Sequence, residues 1–247
     1  INTYARKISQ SEEIGMSERN GYSKIVQNIV DEKLVFNHPD WIVHSGSSLP
    51  ESSLKITTKK HLLEIVKKTC ISGDLKWQKD KLPELSVLNK GQTLCVAFLN
   101  EMFSKIDGYK DALKKEPSDN HLPKLRKPES KVGLIFKPLP QVALAEAILQ
   151  LKEKSDLDTS KIYKTINNID WSFKYGSQFT GAVINIEGNI QTGKKVQARL
   201  RDLIICWVLG TKKAEAFFAG GRFDELTEEW QNSTGLKGKP IPEATTI

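Results

Sequence analysis

Residues 196–209 read VQARLRDLIICWVL. At helical spacing Val196, Leu200, Leu203, Ile204, Ile205, Trp207, Val208 and Leu209 leave almost no polar side. A helix that is apolar nearly all round belongs at the centre of a core. The segments on either side predict helices to pack on it. Upstream, Gln141 to Lys154 has high helix propensity, with Ala143, Leu144, Ala147, Ile148 and Leu151 on one face. A cap at Asp158 or Thr159 opens a second helix carrying Ile162, Tyr163 and Ile166. Downstream, short helices are expected at 212–219 and 223–231, split by Gly220-Gly221, before a polar tail at 233–247. These elements make a C-terminal helical lobe over residues 141–232.

The same periodicity recurs near the other end. Ser17 is the expected cap of a helix whose inward face is Tyr22, Ile25, Val26, Ile29 and Val30. Thr58 caps another with Leu62, Leu63, Ile65 and Val66. Leu94, Val96 to Leu99, Met102, Phe103 and Ile106 mark a buried helix ending near Asp107-Gly108. Segment 74–90 is mixed, and Pro83 forbids a long helix there. Residues 17–116 therefore form an N-terminal helical lobe, preceded by an extended arm at residues 1–16. Between the lobes, five of the ten prolines fall within residues 116–140 (Pro117, Pro123, Pro128, Pro138 and Pro140). That density argues against a continuous helix and for a hinge over 117–140, with one short strand at Val132 to Phe136. The expected fold is mainly α: two helical lobes joined by a proline-rich basic segment, with minor β and flexible terminal arms.

Composition bounds the function classes. The chain has 247 residues, 38% hydrophobic and 27% charged, with 37 Lys plus Arg against 30 Asp plus Glu. Sixteen glycines without a period exclude collagen, three cysteines exclude a disulfide scaffold, and the apolar content excludes wholesale disorder. No apolar run approaches the ~18 residues of a membrane span. Arg6, Lys7, Glu12 and Glu13 interrupt any apolar signal segment at the start. These features give the expectation of a cytoplasmic protein in a reducing compartment, with no membrane and no cofactor.

The formal net charge of +7 hides an asymmetry. Residues 1–54 sum to −2 and residues 214–247 to −3, while 55–213 hold 29 basic and 17 acidic side chains, a net of +12. Charge concentrated in this way attracts polyanions, because each phosphate contact releases condensed counterions. Two clusters dominate. Lys124, Arg126, Lys127, Lys131 and Lys137 stand against Glu129 alone in the proline-rich segment, where an extended chain could track a nucleic-acid strand. The alternative is a linker that is basic for solubility. Lys194, Lys195, Arg199 and Arg201 crowd the start of the core helix, whose free N–H groups and dipole already favour an anion. There the alternative is a solvated helix start. Trp171, Phe173 and Tyr175 alternate at period two. On a strand they would share one face, as a stacking platform for bases or as a packed core face, with Lys174 opposite.

Catalytic signatures are poor. Gly188-Asn-Ile-Gln-Thr-Gly193-Lys194, preceded by the apolar Ala182 to Ile186, has the spacing of a phosphate-binding loop. Lys195, however, occupies the position that needs a hydroxyl for Mg²⁺, and no acidic second motif follows. His38, His44, His61 and His121 are scattered. Cys70, Cys95 and Cys206 lie far apart and read as small core residues. Glu129 with Lys131, and Asp74 with Lys76, match half of a metal-dependent nuclease motif by spacing alone.

The sequence thus points to a non-enzymatic protein that binds single-stranded nucleic acid, RNA favoured, by its backbone in a basic groove. Lys124, Arg126, Lys127, Lys131, Lys194, Lys195, Arg199 and Arg201 would neutralise phosphates, and Trp171 or Tyr175 would stack bases. Size, basic middle and arm-like ends resemble RNA-packaging nucleoproteins and coat (nucleocapsid-like) proteins at the level of class. Such a protein would form a homo-oligomer through its arms. A metal-dependent nuclease and a helical protein-interaction module are the alternatives.

Overall fold

The computed structural model describes residues 20–44, 46, 48–78, 81–185 and 187–244. Among these residues there are ten α-helices and one minimal sheet, so the chain is mainly α as the periodicities require. The expected arm at residues 1–16 and the cap at Ser17 lie outside the described residues. Contacts divide the chain into two compact units between Glu101 and Met102.

In the first unit, α1 (Gly21–Asp31) is capped by Asn20, whose side-chain oxygen accepts from the N–H groups of Tyr22 and Ser23. Its expected apolar face is buried throughout. A 3₁₀ turn at Pro39–Trp41 leads into β1 (Ile42–Val43), which pairs in parallel with β2 (Thr57–Thr58), Ile42 opposite Thr57. Thr58 then caps α2 (Lys59–Ser72) by accepting from the His61 N–H. Pro83 does stop helix formation upstream, but α3 (Leu85–Lys105) begins just after it, well before the apolar run that betrays it. Trp77 locks the intervening loop. It stacks on Tyr22 at 4.8 Å and lies so close to Gly21 and Gly91 that a Cβ there would fall 2.7 and 2.6 Å from the indole.

The second unit is built on the helix expected to be its core. That helix is α8 (Lys194–Leu209), buried from Val196 through Val208 on most of its surface. Packed on it are α6 (Pro138–Lys154), α7 (Thr159–Asn168), α9 (Thr211–Phe217) and α10 (Arg222–Thr234). Two short helices, α4 (Asp107–Leu113) and α5 (Leu122–Leu125), complete the set.

Residues 117–140 correct the expectation of an extended hinge. They lie inside the second unit and are anchored by Leu122, Leu134, Ile135 and Phe136, all essentially buried. The Tyr109 hydroxyl donates to the Ile135 carbonyl at 2.6 Å, and its ring meets Phe136 edge-on at 5.4 Å. The prolines do not extend the chain because they sit where a helix needs no N–H donor. Pro117, Pro123 and Pro138 each fall in the first turn of a short helix, 3₁₀ turn or α6. The strand expected at Val132 to Phe136 is a turn followed by a 3₁₀ turn at Leu134–Phe136: the Leu134 N–H bonds to Trp171, the Phe136 N–H to Gly133, and the Ile135 and Phe136 carbonyls accept from Tyr109 and Arg126 side chains. The polar tail is also tied down as far as Pro242. Ile241 is buried and Trp207 Nε1 donates to the Pro242 carbonyl at 3.0 Å.

Candidate nucleic-acid interface

The proline-rich segment meets the aromatic one along the backbone. The Trp171 N–H donates to the Lys131 carbonyl at 2.8 Å, and the N–H groups of Phe173 and Lys174 share the Pro128 carbonyl at 2.9 and 3.1 Å. Leu134 N–H returns a bond to the Trp171 carbonyl at 2.9 Å. Gly133 permits this approach, since a Cβ there would lie 2.6 Å from the Lys127 carbonyl oxygen and 2.9 Å from the Phe173 ring. The two stretches that the sequence singled out separately are therefore one local structure.

Within it the aromatic triplet divides. Trp171 is 2% exposed, donates through Nε1 to the Ile166 carbonyl at 3.1 Å and stacks on Phe179, so it is withdrawn as a base-stacking residue. Phe173 is buried under the Lys137 ammonium, 5.0 Å from the ring centroid. The chain then turns at Lys174 to Gly176 instead of continuing as a strand, with Gly176 at a φ of +88°. That turn swings Tyr175 outward, where its side chain is 65% exposed. On the two hydrogen-bonded stretches, Lys127, Lys131 and Lys174 are exposed as well, and no carboxylate pairs with them among the described residues. Glu129 is the single acid of this stretch and is exposed as well. Lys124 is exposed on α5 nearby in sequence.

Arg126 is the opposite case. Its side chain is 0% exposed, and Nε donates to the Phe136 carbonyl at 3.3 Å. Burial pushes its guanidinium down to about 10, still protonated at neutral pH. A side chain so enclosed cannot reach a phosphate, and Arg126 leaves the set of binding residues.

The second cluster splits in the same way. Lys194 and Lys195 are exposed on the first turn of α8 and free of carboxylate partners among the described residues. The residue before them, Gly193, has a φ of +115° and gives the helix no side-chain cap. The apolar run ahead of it does not form the strand that a phosphate-binding loop needs: Ala182 and Val183 lie in a turn, and Ile184 makes single bridges to Thr180 and Ile190. Ile186 lies outside the described residues.

Arg199 and Arg201 point back into the fold. Asp202, 0% exposed on α8, receives Arg201 Nε at 2.6 Å and Arg222 of α10 at 2.9 Å. Arg201 also approaches Glu146 of α6 at 3.9 Å. Arg222 reaches Glu225 and Glu229 at 3.2 and 3.3 Å, and Arg199 meets Glu229 at 3.6 Å while donating to the Ala182 carbonyl at 3.0 Å. Burial works against the Arg222 charge, but its bonds to Glu229 and Asp202 outweigh that and hold it above the usual arginine range. These arginines serve an ion network joining α6, α8 and α10.

Sequence reasoning missed two things here. A strand would put Lys174 on the face opposite the aromatics, whereas the turn leaves both it and Tyr175 exposed; Gly176 was the available signal. The network was missed because Asp202 looks like one polar interruption in an apolar helix.

Among the described residues, no group of three or more His, Cys, Asp or Glu is arranged to hold a metal ion. Glu129 and Lys131 lie on turns, and Asp74, with a φ of +58°, follows the end of α2, so neither pair stands on a strand. No helix among the described residues is long and apolar enough to cross a membrane. No known protein family, no curated protein and no solved structure matches the chain.

Proposed function

We propose that this protein binds single-stranded nucleic acid, with RNA as the favoured ligand, through the exposed patch of Lys127, Lys131, Lys174 and Tyr175. The observation that supports this reading is the hydrogen-bonded seam between residues 128–131 and 171–174. It holds the backbones of the two stretches together, and on them Lys127, Lys131, Lys174 and Tyr175 are exposed, the lysines without carboxylate partners among the described residues. Phosphates need the ammonium groups and unstacked bases the ring, a combination common to proteins that hold single strands without reading sequence. Lys124, Lys194 and Lys195 add cationic positions for a longer strand. The wider form of the proposal is a non-enzymatic RNA-packaging protein of a reducing, intracellular compartment that oligomerises on its ligand.

Salt titration tests it. Affinity for a fluorescent single-stranded RNA should fall linearly with salt on a log–log plot, by about 0.7 per phosphate neutralised, with weak sequence preference. Binding that ignores salt, or that persists unchanged after the patch lysines are removed, overturns it. Incubating the protein with Mg²⁺ and single-stranded RNA or plasmid separates this reading from a nuclease.

A further inference from the structure

Two of the three cysteines, far apart in sequence, meet in the core of the first unit. Cys70 lies in the last turn of α2 and Cys95 in the middle of α3, both fully buried, with their sulfurs 3.5 Å apart. One thiol hydrogen-bonds the other, and Cys95 Sγ also faces the Val66 carbonyl at 3.7 Å. Both are free thiols. A disulfide requires the sulfurs to approach to ~2.05 Å, so closure asks for about 1.5 Å of movement. Side-chain rotation supplies motion of that size.

We propose that Cys70 and Cys95 form a dithiol site that closes to an intramolecular disulfide on exchange with a low-molecular-weight disulfide such as oxidised glutathione. One cysteine thiolate attacks a sulfur of the oxidant, its S–S bond breaks, and one glutathione leaves as thiolate. The second cysteine gives up its proton and attacks the mixed disulfide, forming the Cys70–Cys95 bond and releasing the second glutathione. Two protein thiols are oxidised and one disulfide is reduced to two thiols, so atoms and electrons balance.

Cys70 is the entry point. It stands in the final turn of α2, ahead of the Gly73 cap, where helix ends open most readily. The Cys70 hydrogen bond and burial hold the Cys95 thiol well above its usual range, so Cys95 is the poorer first attacker and acts as the resolving thiol only once Cys70 has reacted and that bond is gone. Cys206 is the internal control. It is buried on α8 in the second unit, burial pushes it up to about 12, and no thiol neighbours it among the described residues.

The test uses the full chain treated with oxidised glutathione, followed by intact-mass measurement and peptide mapping under non-reducing conditions. The expected product has lost the mass of two hydrogen atoms, carries a Cys70–Cys95 linked peptide and reverts with dithiothreitol. Folded protein should favour this link over glutathione adducts by about tenfold more than urea-unfolded protein does, because packing raises the effective thiol concentration. The Cys95→Ser variant should instead stop at a glutathione adduct on Cys70. Should that variant fail to fold, the wild-type map still decides the matter. A link through Cys206, stable adducts on Cys70 in the folded wild type, or two thiols that stay unreacted would each overturn the proposal.

Discussion

The two basic clusters carry the same kind of charge and use it differently. In both, exposed lysines (Lys124, Lys127 and Lys131 in one, Lys194 and Lys195 in the other) have no carboxylate partner among the described residues, and the arginines turn inward. Lys127, Lys131, Lys194 and Lys195 are exposed, whereas Arg126 is enclosed against the Phe136 carbonyl and Arg199 and Arg201 serve buried or half-buried acceptors. The physical cause is the side chain. A planar guanidinium with five donors can satisfy several acceptors at once and is weakly hydrated, so it tolerates burial among carboxylates and carbonyls. An ammonium is compact and strongly hydrated, and it stays in water unless a single partner repays desolvation. A count of basic residues therefore overstates the binding charge, and the surplus is internal architecture.

The largest effect should come from the inward side. Arg222→Ala leaves Asp202 fully buried with Arg201 as its remaining charged partner, and the loss should be about 3 kcal/mol. That figure sits at the low end for a broken buried pair because Arg222 itself keeps a quarter of its side chain exposed. Urea denaturation measures it, and RNA affinity of the folded variant should stay within about twofold. A loss below 0.5 kcal/mol, roughly the level of a neutral surface change, would mean the network is ornamental and the comparison fails.

The outward side inverts the pattern. Lys127→Ala, Lys131→Ala and Lys174→Ala together should lower the salt slope by about 2 and weaken RNA binding by about 50-fold near physiological salt. Stability should move by no more than roughly 0.5 kcal/mol. A triple variant that unfolds more easily but binds as before would reverse the roles assigned to the two sets.

One further titration has to be kept apart from these measurements. His61, in the first turn of α2, pairs its Nδ1 with the Thr58 hydroxyl at 2.6 Å, and burial followed by the Lys60 charge lowers its pKa from 6.5 to about 4. Between those values the unfolded chain binds a proton that the folded chain refuses, so stability falls as pH drops from 6.5 toward 4 and is flat above. The loss is on the order of 2 kcal/mol for a ring with some remaining solvent contact. Urea midpoints across this range should flatten in His61→Gln; if they do not, the acid sensitivity lies elsewhere and the charge comparison must be made only above pH 7.

Helix existence was legible because burial follows period. Tyr22 to Val30 and Val196 to Val208 present their apolar faces as the spacing requires. What periodicity cannot carry is the direction of a long polar side chain, and Arg126, Arg199 and Arg201 were misread for that reason. Proline density misled in another way. A proline breaks a helix interior but suits a helix start, and Pro123 and Pro138 occupy starts. The division of the chain likewise falls within α3, where no composition shift marks it. The candidate patch itself was half visible: both segments stood out, but the backbone bonds that join them cross forty residues and leave no local trace.

Tyr175 separates a stacking site from a merely basic surface, and it carries the smallest expected effect. An exposed ring on a Gly176 turn has no packing role to lose, so Tyr175→Ala should leave stability unchanged. Its removal should weaken single-stranded RNA by about 1 kcal/mol, roughly fivefold, the lower end for one stacked base. The salt slope should not change, because no phosphate contact is lost. Tyr175→Phe should bind as the wild type does, since the ring face is kept. Polyphosphate, which has charge but no bases, supplies the sharper arm: its affinity should be indifferent to Tyr175→Ala and sensitive to the lysines. If polyphosphate and RNA weaken alike in Tyr175→Ala, the ring supports the patch without stacking. The surface would then recognise anions in general, and the aromatic half of the comparison would have to be given up.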